Sequence, residues 1–203
     1  VEVFGQVEAP LIEIDTPDVL TCAVSEVILD ASESSGDSTL IITWTTQNGN
    51  FISGDTTLTP TVDAPGLYFL ELMTPDSSCF SKDSVEVLID TLAPTVELGP
   101  NLNLDCANPE ESVLPEITGC GTLSYNLIDP NGCAQLSQDT LRFSTACSGG
   151  TVVLEVTCQQ NGCLGEDDLT VNVDVDEPTA EAGAGEQLNC DPGQVQLNGG
   201  GSS

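Results

Sequence analysis

The chain has 203 residues, with 33 Asp and Glu against only Lys82 and Arg142, no histidine, and a formal charge of −31. Such a charge repels phosphate backbones and anionic bilayers, which excludes nucleic acid and membrane surfaces as partners. With no histidine and a single lysine, no serine or cysteine has an activating base, which argues against an enzyme.

Apolar content of 39% in alternating runs is that of a folded chain. No apolar stretch approaches the roughly 20 residues of a membrane span. No secretory leader opens the chain, and the sequence reads as an internal excerpt whose export signal lies elsewhere. Taken in order, "VEV" at Val1–Val3 recurs at Val85–Val87, so residues 1–9 read as the last strand and linker of a preceding repeat. "PLIEIDTPDVLTC" from Pro10 to Cys22 then recurs from Pro94 to Cys106 and from Pro178 to Cys190, 84 residues apart both times. Each copy opens on proline, has an acid in fourth place (Glu13, Glu97, Glu181) and closes on cysteine. A fixed period in this range marks a tandem array. The expected organisation is repeats at 10–93 and 94–177, followed by the start of a further repeat at 178–203.

Within the first repeat the apolar residues recur every second position, the period of a strand. "TLIITWTT" puts Leu40, Ile42 and Trp44 on one face and Ile41, Thr43 and Thr45 on the other. "GLYFLELM" alternates Tyr68, Leu70 and Leu72 with Phe69, Glu71 and Met73. "DSVEVLID" groups Val85, Val87 and Ile89 opposite Glu86 and Asp90. Tyr68, just after Gly66 at the start of a late strand, is placed for a tyrosine corner, with Val152 in its position in the second copy. The second repeat continues with Leu123, Tyr125 and Leu127, then Val152, Leu154 and Val156, then Leu169, Val171 and Val173. Leu127 takes the place of Trp44. About seven short strands per repeat predict all-β, tandem immunoglobulin-like sandwiches of about 84 residues each. The one Trp and both Tyr should face inward.

Nine cysteines without histidine or paired CxxC knuckles point to disulfides in an oxidising compartment rather than to zinc. Cys22 and Cys79 are matched by Cys106 and Cys163 in the second repeat. One arrangement is Cys22–Cys79 and Cys106–Cys163, within repeats. However, an immunoglobulin-like strand order puts Cys22 and Cys79 at opposite poles, and a disulfide needs Cα atoms within about 7 Å. The alternative is Cys22–Cys163, between repeats, with Cys79, Cys106 and Cys190 finding partners in other copies. The sequence leaves both open. Of the four cysteines found only in the second repeat, Cys120 and Cys158 align near one pole and Cys133 and Cys147 near the other, which predicts Cys120–Cys158 and Cys133–Cys147.

No cofactor is required. Calcium is the one ion worth weighing, because it takes clustered carboxylate oxygens. Asp174, Asp176, Glu177 and Glu181 gather at one expected repeat junction, and Asp90 and Glu97 at the other. With 14 acids spread through each repeat, the favoured reading is that they keep the array soluble and extended.

The "P-x-x-E" opening, "LTC", "LDASESS", "ITWTTQNGNFISGDTTLTPTVDAPGLYFLEL" and "SSCFSKDSVEV" cover the first repeat. In them the chain resembles the polycystic-kidney-disease-type (PKD-like) and immunoglobulin-like repeats of giant Bacteroidota surface proteins, including SprB-type gliding adhesins. The resemblance implies type IX secretion, display at the bacterial cell surface and a role as stalk or filament. It also implies O-glycosylation at Asp-Ser or Asp-Thr followed by a small or aliphatic residue, a pattern met at Ser38, Thr56, Ser84, Thr91 and Thr140. The resulting expectation is an extracellular stalk segment giving reach and mechanical resistance. Its partners would be neighbouring repeats of the same chain. Two alternatives are a module binding carbohydrate or a surface, and a self-assembling fibre built by lateral copies.

Overall fold

A computed structural model describes residues 9–35, 39–176, 180–182 and 200–202, and every regular element in them is a strand. The first repeat forms β1 (Leu20–Thr21), β2 (Val27–Ile28), β3 (Ile41–Gln47), β4 (Phe51–Ser53), β5 (Thr61–Val62), β6 (Gly66–Met73), β7 (Phe80–Val87) and β8 (Ile89–Asp90). One sheet has the order β2-β5-β4, the other β3-β6-β7, and β1 runs parallel to β8. All pairs within the two three-stranded sheets are antiparallel.

The alternating pattern determines which side of each strand is buried. In the central strand, Tyr68, Leu70 and Leu72 are fully buried, and Leu70 lies opposite Trp44 in register. The other sheet contributes Val27 and Val62 to the same cluster, joined by Leu29 and Ala31, which follow β2. Two antiparallel sheets that share one core, with an early strand running parallel to the last, define an immunoglobulin-like β-sandwich. Trp44 meets its polar requirement inside this core by donating from Nε1 to the Thr57 carbonyl at 2.9 Å.

Tyr68 closes a tyrosine corner. Its hydroxyl donates to the Ala64 carbonyl at 2.7 Å and accepts from the Asn50 N–H at 2.9 Å. Phe51 packs edge-on to its ring, with centroids 5.2 Å apart, and burial pushes the phenol above its ordinary pKa. Tyr68→Phe keeps the ring but leaves the Asn50 N–H without its acceptor. The expected cost is about 1–2 kcal/mol, measured by urea denaturation; an unchanged midpoint would show that the corner contributes nothing.

The second repeat forms β9 (Thr95–Glu97), β10 (Leu102–Asp105), β11 (Glu110–Val113), β12 (Glu116–Thr118), β13 (Leu123–Ile128), β14 (Ala134–Ser137), β15 (Thr140–Ser144), β16 (Gly150–Cys158) and β17 (Leu164–Asp174). The sheet orders are β10-β17-β16-β13, β11-β15-β14 and β12-β9. As in the first copy, an early strand, β10, runs parallel to the last, β17.

The compact units cut across the sequence period. Among the described residues, one comprises those up to Glu97, Glu116–Leu127 and Leu154–Asp167; the other comprises Leu98–Pro115, Ile128–Val153 and those from Asp168 onward. The first unit holds the first sandwich together with β9, β12 and the hairpin between β16 and β17. The second holds β11, β14 and β15, and it buries Leu104, Leu141, Phe143, Val152, Leu169 and Val171.

One inward placement is corrected, and one alternating run ends early. Tyr125 is 38% exposed. Ile89 is 50% exposed. The ladder of β7 stops at Val87, and after Leu88 the chain switches to pair with β1, so the alternation does not carry through.

Candidate functional site: a braced junction

The chemistry-bearing side chains converge inside the first unit, where the β16–β17 hairpin meets the end of the first sandwich. The hairpin turns at Asn161-Gly162. Gly162 takes a left-handed φ of 71°, its N–H donates to the Cys158 carbonyl at 2.8 Å, and the Cys158 N–H donates to the Cys163 carbonyl at 2.9 Å.

Asn161 is the one buried polar side chain among the described residues, at 4% exposure. Burial of an amide is tolerable only if its groups are bonded. Here Oδ1 accepts from the Cys163 N–H at 3.0 Å, and Nδ2 donates to Asp90 Oδ1 at 3.1 Å and to the Leu92 carbonyl at 3.0 Å. The Asn161 backbone carbonyl accepts from the Ala23 N–H at 3.2 Å.

The surface that receives the hairpin is built by β1 and β8, paired Leu20 to Ile89 and Thr21 to Asp90. Thr21 Oγ1 accepts from the Ala23 and Val24 N–H groups at 3.2 and 3.0 Å, a local turn that carries Cys22 outward. Cys22 is bonded to Cys163, with Cα atoms 5.0 Å apart across 141 positions of sequence. Glycine is required at two contacts. A Cβ on Gly162 would lie 2.5 Å from the Ala23 Cβ, and one on Gly165 would overlap the Pro94 carbonyl oxygen.

Of the two arrangements open to the four matched cysteines, the structure forms the one between repeats; Cys22–Cys79 and Cys106–Cys163 do not form. Cys79 directly precedes β7 at its far end, and the eight residues of that strand separate it from the β1–β8 pair near Cys22. Cys120 is bonded to Cys158 and Cys133 to Cys147. Cys79 lies in the Thr74–Cys79 turn, where Asp76 accepts from the Thr74 and Ser78 hydroxyls and its carboxyl is held down to about 2. Cys106 is exposed and in no disulfide among the described residues.

No group of three or more cysteine or carboxylate side chains gathers as a metal site among the described residues. Asp90, Glu97, Asp174, Asp176 and Glu181 form no such group of three among the described residues, and Glu177 lies outside them. Asp90 serves as a hydrogen-bond acceptor for Asn161. Of the glycosylation positions, Thr56, Ser84 and Thr91 are exposed and Thr140 is half-buried. Ser38, Cys190 and residues 1–8 lie outside the described residues, as does most of 178–203. Asn161, Gly162, Gly165 and Thr21 are the functional positions that the sequence reading missed. The Asn-Gly pair directly before Cys163 was a readable hairpin signal.

No family model and no curated protein matches the chain. Among solved structures, it is similar to the I-band fragment I67–I69 of titin at 13% identity and a TM-score of 0.47, covering 85% of this chain and 67% of that one. It is also similar to Sidekick-1 immunoglobulin domains 1–5 at 14% identity and a TM-score of 0.41, covering 87% and 41%. A third likeness is to the extracellular domains 3–5 of Drosophila OTK at 11% identity and a TM-score of 0.40, covering 80% and 62%. The immunoglobulin-like assignment rests on the strand order and the shared core described above.

Proposed function

We propose that this chain is a mechanical spacer, a stalk or filament segment of a large extracellular adhesin on a bacterial surface of the Bacteroidota type. The observation that carries the reading is the Cys22–Cys163 bridge, which ties one copy of the 84-residue repeat to the next. A spacer gains from such a tie resistance to being pulled apart. Three disulfides fit an oxidising compartment. The charge of −31 keeps such arrays from collapsing or pairing at strand edges. Neighbouring copies of the repeat are the partners in this reading, and no cofactor takes part.

Non-reducing peptide mapping of the secreted protein tests the reading. The Cys22 peptide is expected to be linked to the Cys163 peptide, and a Cys22–Cys79 link would remove the brace and the proposal with it. Calcium is expected to leave the melting temperature within about 1 °C, since binding of a ligand at a hundredfold its dissociation constant would contribute about 2.7 kcal/mol and raise it visibly. A calcium-dependent rise of several degrees would assign the acidic junction residues a structural ion.

A further inference from the structure

The surface that receives the hairpin is built twice in this chain. The parallel pairs Leu20–Ile89 and Thr21–Asp90 recur as Leu104–Val173 and Asp105–Asp174, each displaced by the 84-residue period. The turn after it recurs as well. Thr21 N–H donates to the Val24 carbonyl at 2.8 Å, and Asp105 N–H to the Asn108 carbonyl at 3.2 Å. Where Thr21 Oγ1 accepts from the next turn's N–H groups, Asp105 Oδ1 accepts from Ala107 and Asn108 at 2.8 and 2.6 Å. Asp90 Oδ1 accepts from the Leu92 N–H at 3.2 Å, and Asp174 Oδ1 from the Asp176 N–H at 3.4 Å. Cys106 thus stands on the second surface as Cys22 stands on the first.

Among the described residues the two surfaces differ in occupancy. The Ala23 N–H is shared between Thr21 and the Asn161 carbonyl, whereas the Ala107 N–H goes to Asp105 alone among the hydrogen bonds seen. From this we infer that the second surface, Leu104–Ala107 with Val173–Asp176, docks the β-hairpin of another copy of this module and bonds it covalently through Cys106. The inference rests on the mechanical reading proposed above and extends it from one brace to a series.

The first surface defines the chemistry of the occupant. Asp174 occupies the place of Asp90, so an amide N–H₂ like that of Asn161 finds its acceptor there. Ala107 occupies the place of Ala23, against which Gly162 lies too close for a Cβ, so a glycine at the next position fits it in the same way. A thiol must follow. The occupant is therefore an Asn-Gly-Cys hairpin tip. Bond formation takes two thiols to one S–S bond and passes two electrons and two protons to a disulfide oxidant, an oxidised dithiol protein or small-molecule disulfide, which becomes two thiols. Cys106 falls inside the loop closed by Cys22–Cys163, so consecutive loops interlock and tension along the array follows a covalent path.

The test inserts a second copy of residues 94–177 after Glu177 in the full chain, with Glu110→Gln and Glu166→Gln in the inserted copy as mass labels for its Cys106 and Cys163 peptides, followed by non-reducing peptide mapping. The expected result is the original Cys106 linked to the inserted copy's Cys163 and the inserted Cys106 as a thiol. If both Cys106 residues are thiols while each copy's Cys120–Cys158 and Cys133–Cys147 bridges are intact, the inference is overturned. In that same map, an intact Cys22–Cys163 link means that the brace itself survives, and its absence means that the brace falls too. Should the inserted copy lack its own bridges, the unaltered chain is offered a peptide of residues 157–165 with Cys158→Ser, its Cys163 held as a mixed disulfide with thionitrobenzoate. Cys106 is then expected to react about tenfold faster than with the Asn161→Ala peptide, the loss of one hydrogen bond to a charged group. Equal rates overturn the inference.

Discussion

Stretched between its ends in a force spectrometer, the oxidised protein is expected to withhold the segment between Cys22 and Cys163, and the Cys22→Ser, Cys163→Ser variant to release it. The bridge spans 141 positions. Within them the Cys120–Cys158 bridge keeps its own 38-position span closed, so about 100 residues become extensible in the variant, roughly 350 Å at 3.3–3.6 Å each. The reason is topological. Tension entering from the N-terminal side reaches Cys22, crosses the disulfide and leaves along β17, so β3 to β7 lie off its path. The same bridge is expected to contribute about 5 kcal/mol to stability on the chain-entropy estimate for a loop of this length. Equilibrium denaturation of oxidised protein against the double variant reads that term. Cys106→Ser serves as the control, because it removes a thiol without opening a loop. Equal extension of oxidised and double-variant protein would mean that the bridge carries no load.

Much of this architecture could be read in advance, because a period of two and a period of 84 are both properties of spacing. Trp44, Tyr68, Leu70 and Leu72 had to share a face, and they share a core. The polar groups that seat the hairpin were not readable in the same way. Asn161 and Asp90 are 71 positions apart, and their hydrogen bond depends on the docking of two segments rather than on any local pattern. Nothing in an alternating run says how fully its apolar face is covered either, and Tyr125 reads as inward yet stands 38% exposed. The cysteine question shows the same limit. Strand order alone could raise the objection to Cys22–Cys79, but only a three-dimensional fold brings Cys163 within reach of Cys22.

Gly165→Val is expected to destabilise the protein by about 3 kcal/mol, the upper part of the range for overpacking. Gly165 is near the start of β17, and a Cβ there would overlap the carbonyl oxygen of Pro94, the buried first residue of the second repeat. A glycine inside a strand marks the close approach of another backbone, and here the backbone is the segment that joins the two repeats. Neither side yields easily. Pro94 cannot swing its φ, and the hairpin is held by the Cys22–Cys163 bridge and by the bonds of Asn161. Gly99 and Gly132 are the contrast, because a Cβ at either meets nothing within 4 Å. Their left-handed φ values of 84° and 68° still disfavour a side chain, so alanine there is expected to cost about 1 kcal/mol, through backbone conformation alone. Urea denaturation of the three variants separates the two causes. A Gly165→Val loss no larger than that of Gly99→Ala would show that the repeats are not packed tightly at Pro94, leaving the disulfide and Asn161 to hold the junction.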